Sequence, residues 1–200
     1  MPHTAEAQPP QAPAPKPMAA RVPRREFVPK KWRSQANEDH PLPIGYGQTI
    51  SQPSLVDEMV AELQLEPTDR VLEIGAGSGY QAALLAQYAA EVYTVEIIPQ
   101  LAEEATDRLK RLGYDNVKVK CGDGYEGWAE YAPFDAITLA AAVEVLPLPL
   151  VEQLAEGGRI LYPLGAAGGV QTLIKGVKVN GVLNRQELCK VRFVPFTRQE

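Results

Sequence analysis

A chain of 200 residues suits a single domain, and its 45% hydrophobic and 22% charged content is that of a globular protein. No apolar run reaches the length of a membrane span, and a net charge of −5 argues against a nucleic-acid partner, which needs a positive face. Cys121 and Cys189 form neither a disulfide framework nor a metal site, and no hydrophobic signal core opens the chain, so a cytoplasmic location is expected.

Residues 1–20 carry six prolines between Pro2 and Pro17, mixed with alanine and glutamine, and read as an extended tail apart from a domain over 21–200. The basic cluster Arg21, Arg24, Arg25, Lys30, Lys31 and Arg33 faces only Glu26 and reads as a solvated surface segment. Gln52 to Leu63 is expected to be helical. Pro53 suits its first position, and Leu55, Val56, Met59, Val60 and Leu63 share one face. Arg70–Ile74 is a buried-strand candidate, followed by glycines and a helix over Tyr80–Ala89. Glu91–Glu96 reads as a strand, Pro99–Leu112 as a helix stopped by Gly113, and Val117–Lys120 and Phe134–Leu139 as strands. Pro149–Ala155 reads as a helix closed by Gly157-Gly158, and Arg159–Pro163 as a strand. Gln171–Phe196 reads as antiparallel strands turning at Asn180-Gly181. Strands alternating with helices predict an α/β fold of the Rossmann-like kind: a mostly parallel sheet with helices on both faces and antiparallel C-terminal strands.

Ligands bind such sheets at the carboxyl ends of the strands, and three strand ends here carry suggestive residues. Gly75-Ala76-Gly77-Ser78-Gly79 follows the first buried strand, which carries Glu73, and leads into a helix. Glycines there let the backbone pass under a ligand. The spacing is Gly-x-Gly-x-Gly, which favours a nucleoside without a pyrophosphate. Glu96 ends the second strand, where a carboxylate can accept both ribose hydroxyls. Gly122-Asp123-Gly124 follows the third, where Asp123 can accept an adenine amino group beside a backbone donor. Together these predict S-adenosyl-L-methionine as cofactor, held by Glu73, Gly75, Ala76, Gly77, Ser78, Gly79, Glu96, Asp123 and Gly124. No metal is expected.

Further segments narrow the reading. They are Val22–Pro29, Asp39–Gly45, Gly47-Gln48-Thr49-Ile50-Ser51-Gln52-Pro53, Val71–Ala82, Gly122–Trp128, Ala132–Ile137 and Val191–Pro195. Through them the chain, from about Val22 to Phe196, resembles the protein-L-isoaspartate O-methyltransferase family. Gln48–Pro53 is the most specific of these marks, because general methyltransferases lack it. The resemblance implies a repair enzyme that methylates the free α-carboxylate of L-isoaspartyl residues in damaged proteins, after which the ester closes to a succinimide. It matches Ser51 to the family's active-site serine, and Thr49, Ile50 and Ser51 to groups around the substrate carboxylate. It implies isoaspartyl proteins and peptides as partners, and a monomer is expected. Read from the residues alone, Ser51 is a helix cap and His40 a structural loop histidine.

Asn37, Ser54, Ala140 and Val143 depart from the family pattern on the substrate side, and the Pro/Ala tail stands where the family has helices. Two other readings therefore stand beside repair: methylation of another carboxylate or a specialised peptide, and cofactor binding without turnover.

Overall fold

The structure is a computed structural model and describes residues 22–198. The proline-rich segment 1–20 and Arg21 lie outside the described residues. The secondary elements are β1 (Leu42–Gly45), β2 (Gln48–Ile50), α1 (Pro53–Glu62), β3 (Arg70–Ile74), α2 (Tyr80–Leu85), β4 (Glu91–Glu96) and α3 (Pro99–Arg111). They continue with β5 (Val117–Cys121), β6 (Phe134–Leu139), α4 (Leu148–Glu152), β7 (Leu154–Leu164), β8 (Gln171–Val179) and β9 (Val182–Val191).

Seven strands form one sheet in the order β5-β4-β3-β6-β7-β8-β9. β5 through β7 run parallel, and β8 and β9 return antiparallel. β3 is central, and Val71, Leu72 and Ile74 are buried because helices cover both sheet faces. From β3 the chain steps outward to β4 and β5, then crosses back to β6 on the other side. This reversal opens a crevice at the carboxyl end of β3, where the glycine turn begins. The α/β class and the antiparallel C-terminal strands expected from the sequence are what the fold contains. At the β8–β9 turn, Asn180 and Gly181 both take positive φ (52° and 75°), the conformation of a tight two-residue hairpin.

Helices α1 and α3 form where the apolar spacing placed them. Both start on a proline at the first turn, whose missing N–H is no loss there. Val56, Met59 and Val60 of α1 and Leu101, Ala105 and Leu109 of α3 bury one stripe each. Each buried leucine contributes about 1.5–3 kcal/mol relative to an exposed one.

Four local expectations change. The helix expected over Tyr80–Ala89 ends at Leu85. The Asn116 side-chain amide reaches back to this end, donating to the carbonyls of Ala86 and Ala89 just before β4. The helix expected over Pro149–Ala155 ends at Glu152, and β7 starts at Leu154, paired with Phe134 of β6. Gly157-Gly158 therefore lies within a bulged strand rather than closing a helix. A side chain at Gly158 would strike the Ala155 carbonyl. β1 and β2 form a separate antiparallel hairpin, which alternation alone did not reveal. Arg24, expected on a solvated surface, is 3% exposed and enclosed. Its guanidinium finds three backbone carbonyls from later segments, which no local pattern encodes.

Candidate functional site

The glycine turn is built by its dihedral angles. Gly75, Gly77 and Gly79 have φ of 96°, 52° and 83°, a region that L side chains rarely adopt. Gly75 N–H donates to the Val95 carbonyl (2.8 Å), and Gly79 N–H to the Ala76 carbonyl (2.7 Å). A side chain at Gly79 would also press on Leu109 of α3, at 3.2 Å. The turn is held from outside by Arg108, whose Nη1 donates to the Ser78 carbonyl (2.7 Å). Burial lowers the Arg108 pKa, and Glu104 opposes that.

Beside the turn lies a cavity of about 850 Å3, whose lining includes Glu73–Ser78, Tyr80 and Glu96 together with Gln48–Ser51, Ala140 and Val194–Thr197. Glu73 is wholly buried. Its Oε2 accepts from the Thr94 hydroxyl (2.6 Å), while Oε1 has no hydrogen-bond partner among the described residues. Burial pushes this carboxyl up to about 8 against the Thr94 hydrogen bond, with nearby Glu96 adding to the rise. A buried acceptor without a partner is costly, and a cationic amine in the cavity would satisfy it. Glu96 is 5% exposed and accepts from Gly77 N–H (2.7 Å) and Ile98 N–H (3.0 Å). Both bonds fix its carboxylate at the cavity wall, leaving lone pairs for hydroxyl donors.

The third strand end differs from its expected use. Gly124 lines the cavity and Asp123 does not. Asp123 Oδ1 accepts from Tyr125 N–H (2.9 Å), and Oδ2 from Arg198 Nε (3.1 Å). The Arg198 guanidinium also stacks on the Tyr125 ring at 3.7 Å. The adjoining segment crosses the site because Ala142 N–H donates to the Val194 carbonyl and Phe196 N–H to the Ala142 carbonyl (2.8 and 2.9 Å). Gly79, too, shapes the turn without lining the cavity.

A second, smaller cavity of about 360 Å3 is lined by Pro41, Thr49, Ser51, Gln52, Leu55, Ala140 and Arg192–Val194. Thr49, Ser51, Ala140 and Val194 line both cavities. The two spaces therefore meet at the β2–α1 junction, where Thr49, Ile50 and Ser51 were expected. Ser51 does not cap α1. The cap position is Gln52, with no side-chain cap bond, and Asp39 serves instead, accepting from Ser54 N–H (2.9 Å) and the Ser54 hydroxyl (2.8 Å). Those two bonds, the amide first, lower the Asp39 pKa. The Ser51 hydroxyl is thereby released from a structural duty. His40 lines neither cavity. Its ring meets the Pro41 carbonyl and Glu38, and these, in that order, raise its pKa.

Sequence reasoning found both cavity-lining carboxylates and the β2–α1 junction. It missed Tyr80, Arg108, Arg198 and the 194–197 crossing, and it left Arg24 on the surface. Tyr80 had a signal, since it immediately follows the last glycine; the arginines had none, because their partners lie 12 to 75 residues away.

Comparison with known proteins shows the family. The family model for protein-L-isoaspartate(D-aspartate) O-methyltransferase matches residues 15–200. A protein-L-isoaspartate O-methyltransferase 2 of Syntrophobacter fumaroxidans is 53% identical over 179 residues, covering 89% of this chain and 72% of that one. The protein-L-isoaspartate O-methyltransferase of Gloeobacter violaceus is 50% identical, covering 90% and 88%. A solved protein-L-isoaspartate O-methyltransferase superposes with a TM-score of 0.82 at 33% identity; it covers 89% of this chain, which spans 60% of it. A putative Plasmodium falciparum enzyme, solved with S-adenosyl-L-homocysteine, gives 0.76 at 26% identity, covering 91% and 89%.

Proposed function

The chain belongs to the protein-L-isoaspartate(D-aspartate) O-methyltransferase family, and on that premise we propose how its two cavities divide the reaction. The enzyme transfers a methyl group from S-adenosyl-L-methionine to the free α-carboxylate of an L-isoaspartyl residue in a damaged protein. The larger cavity takes the cofactor and the smaller one the isoaspartyl side chain. The observation that carries this reading is their meeting at Thr49, Ser51, Ala140 and Val194.

On the cofactor side, the unpartnered Glu73 Oε1 fits the amino group of the methionine moiety, and Glu96 fits the ribose hydroxyls. The turn Gly75-Ala76-Gly77-Ser78-Gly79 supplies close backbone approach. Gly124 would line the adenine end, and Asp123 would accept from the adenine amino group if Arg198 released its Oδ2. When bound, the cofactor supplies a methyl group activated by its sulfonium.

On the acceptor side, an α-carboxylate is ionised at neutral pH, so the protein needs no base to create the nucleophile. Ser51 Oγ donates a hydrogen bond to one carboxylate oxygen and leaves the other directed at the junction. Thr49 and Ile50 hold the carboxylate from β2. The dipole of α1 favours an anion near its start. The chain's contribution is chiefly alignment. The methyl ester formed then closes to a succinimide as the neighbouring backbone nitrogen displaces methanol.

We read the unit as a monomer acting over residues 21–200, because both cavities are built within one chain. The unpaired Cys121 and Cys189 fit a cytoplasmic setting, where thiols stay reduced.

Labelled S-adenosyl-L-methionine, offered with an isoaspartyl peptide and with its normal aspartyl twin, tests the function. Methylation of the first alone is expected. Binding of the cofactor with no methylation of either peptide would sink the repair reading. Ser51→Ala, which removes one hydrogen bond to a charged group, is expected to lower turnover ~10- to 100-fold with cofactor affinity unchanged.

A further inference from the structure

Arg24 is a buried cation that the reaction as described does not use. Its contacts are carbonyl oxygens rather than carboxylates: Nη1 donates to Ala36 (2.8 Å), and Nη2 to His40 (3.0 Å) and Ser51 (2.9 Å). Enclosing a guanidinium is costly, and an apolar side chain would fill the same space without that cost. A guanidinium can instead bind several carbonyls at once in a fixed plane, which a flexible ammonium cannot do. The three carbonyls come from the loop after Phe27, from the histidine before β1 and from the β2–α1 junction.

The same loop is tied to α1 by a second contact. Asp39 takes both the N–H and the hydroxyl of Ser54. Arg24 and Asp39 thus grip the junction at Ser51 and at Ser54, and Gln52-Pro53 is held between them. A trans peptide points its C=O and N–H in opposite directions. Holding the Ser51 carbonyl on Arg24 therefore turns the Gln52 N–H away from Arg24, and Gln52 lines the acceptor cavity together with Ser51.

We propose that Arg24 is a positioning residue for methyl transfer: through the Ser51 carbonyl it fixes the Ser51–Gln52 peptide plane, and with it the hydroxyl and N–H that receive the acceptor carboxylate. This rests on the reading of Ser51 as the acceptor-side hydroxyl. Arg24 touches neither substrate nor cofactor; its effect passes through the backbone of the junction. The turn that holds the cofactor is anchored separately, by Arg108 and Glu96. Loosening Arg24 therefore leaves the anchors of the glycine turn in place.

Arg24→Lys keeps the charge and loses the three-carbonyl geometry. It is expected to reduce kcat ~10- to 100-fold with an isoaspartyl peptide, the scale of a small misalignment. The dissociation constant for S-adenosyl-L-methionine, measured by calorimetry, should stay within about twofold, because its anchors are elsewhere. Turnover is expressed per cofactor-binding molecule, so partial unfolding of the variant does not imitate the effect. In Arg24→Ala, millimolar guanidinium should restore part of kcat without changing cofactor affinity. Unchanged kcat in Arg24→Lys, or cofactor affinity falling in step with kcat, overturns the proposal, as does failure of guanidinium to rescue. Ser51→Ala, run in parallel, separates the two levels. If it is fully active, the reading of Ser51 fails; if it is impaired while Arg24→Lys is not, only the role of Arg24 fails.

Discussion

Glu73 offers a quantitative test of the cofactor cavity. Its carboxyl is pushed up to about 8 by burial, from an ordinary value of 4.5. At pH 7 the folded protein therefore holds Glu73 protonated, while the unfolded chain carries it ionised. The folded state binds more protons, so stability falls as pH rises from 4.5 to 8. By pH 7 the loss amounts to about 3 kcal/mol relative to acidic solution, a sizeable share of a domain's stability. Glu73→Gln abolishes this titration and keeps an oxygen for the Thr94 hydroxyl. Urea unfolding of the cofactor-free proteins between pH 5 and 8.5 should show the wild type losing stability with pH relative to the variant. Parallel curves would refute the reasoning, since they would mean that Glu73 ionises as easily inside the fold as outside it. Cofactor binding supplies the complementary readout. An amine bound at Oε1 favours the carboxylate, so at pH 7 the wild type should release about one proton on binding. Calorimetry in two buffers of different ionisation enthalpy measures that release, and Glu73→Gln should lack it.

Other expectations follow from single contacts. Glu96→Ala removes the proposed ribose acceptor and frees the Gly77 and Ile98 amides, so cofactor affinity should fall about 10- to 100-fold by calorimetry; unchanged affinity would remove Glu96 from the site. A side chain at Gly124 would collide with Cγ2 of Ile74 at the cavity wall. Gly124→Ala should therefore cost about 1–3 kcal/mol in urea unfolding and weaken cofactor binding. Arg198→Ala releases Asp123 Oδ2, so cofactor affinity should rise by up to ~10-fold. A fall in affinity would show instead that the Arg198–Tyr125 stack is part of the cofactor's cover.

Much of the molecule was written locally. Gly75, Gly77 and Gly79 are separated by single residues, and their positive φ angles are a property of that short stretch. The apolar stripe of α3, the proline starts of α1 and α3 and the Asn180-Gly181 turn are equally short-range. Glu96 was legible because a strand end is a local event and the parallel topology sends every such end to one edge. Where local reading failed, a distant partner had decided. Leu154 became a strand because Phe134 was there to pair with it, overriding a helical pattern that ran on to Ala155.

The acceptor half divides along the same line. The sequence by itself determined that Thr49-Ile50-Ser51 leads directly into the helix that starts at Pro53. Only the tertiary structure decided that Ser51 does not cap α1, because Asp39, from a separate loop, does the capping. It also buried Arg24 against three carbonyls, left one Glu73 oxygen without a partner among the described residues and engaged Asp123 with Arg198. The reason is physical: periodicity and turn chemistry act over a few residues, whereas desolvation and hydrogen-bond satisfaction depend on which segments the sheet brings together.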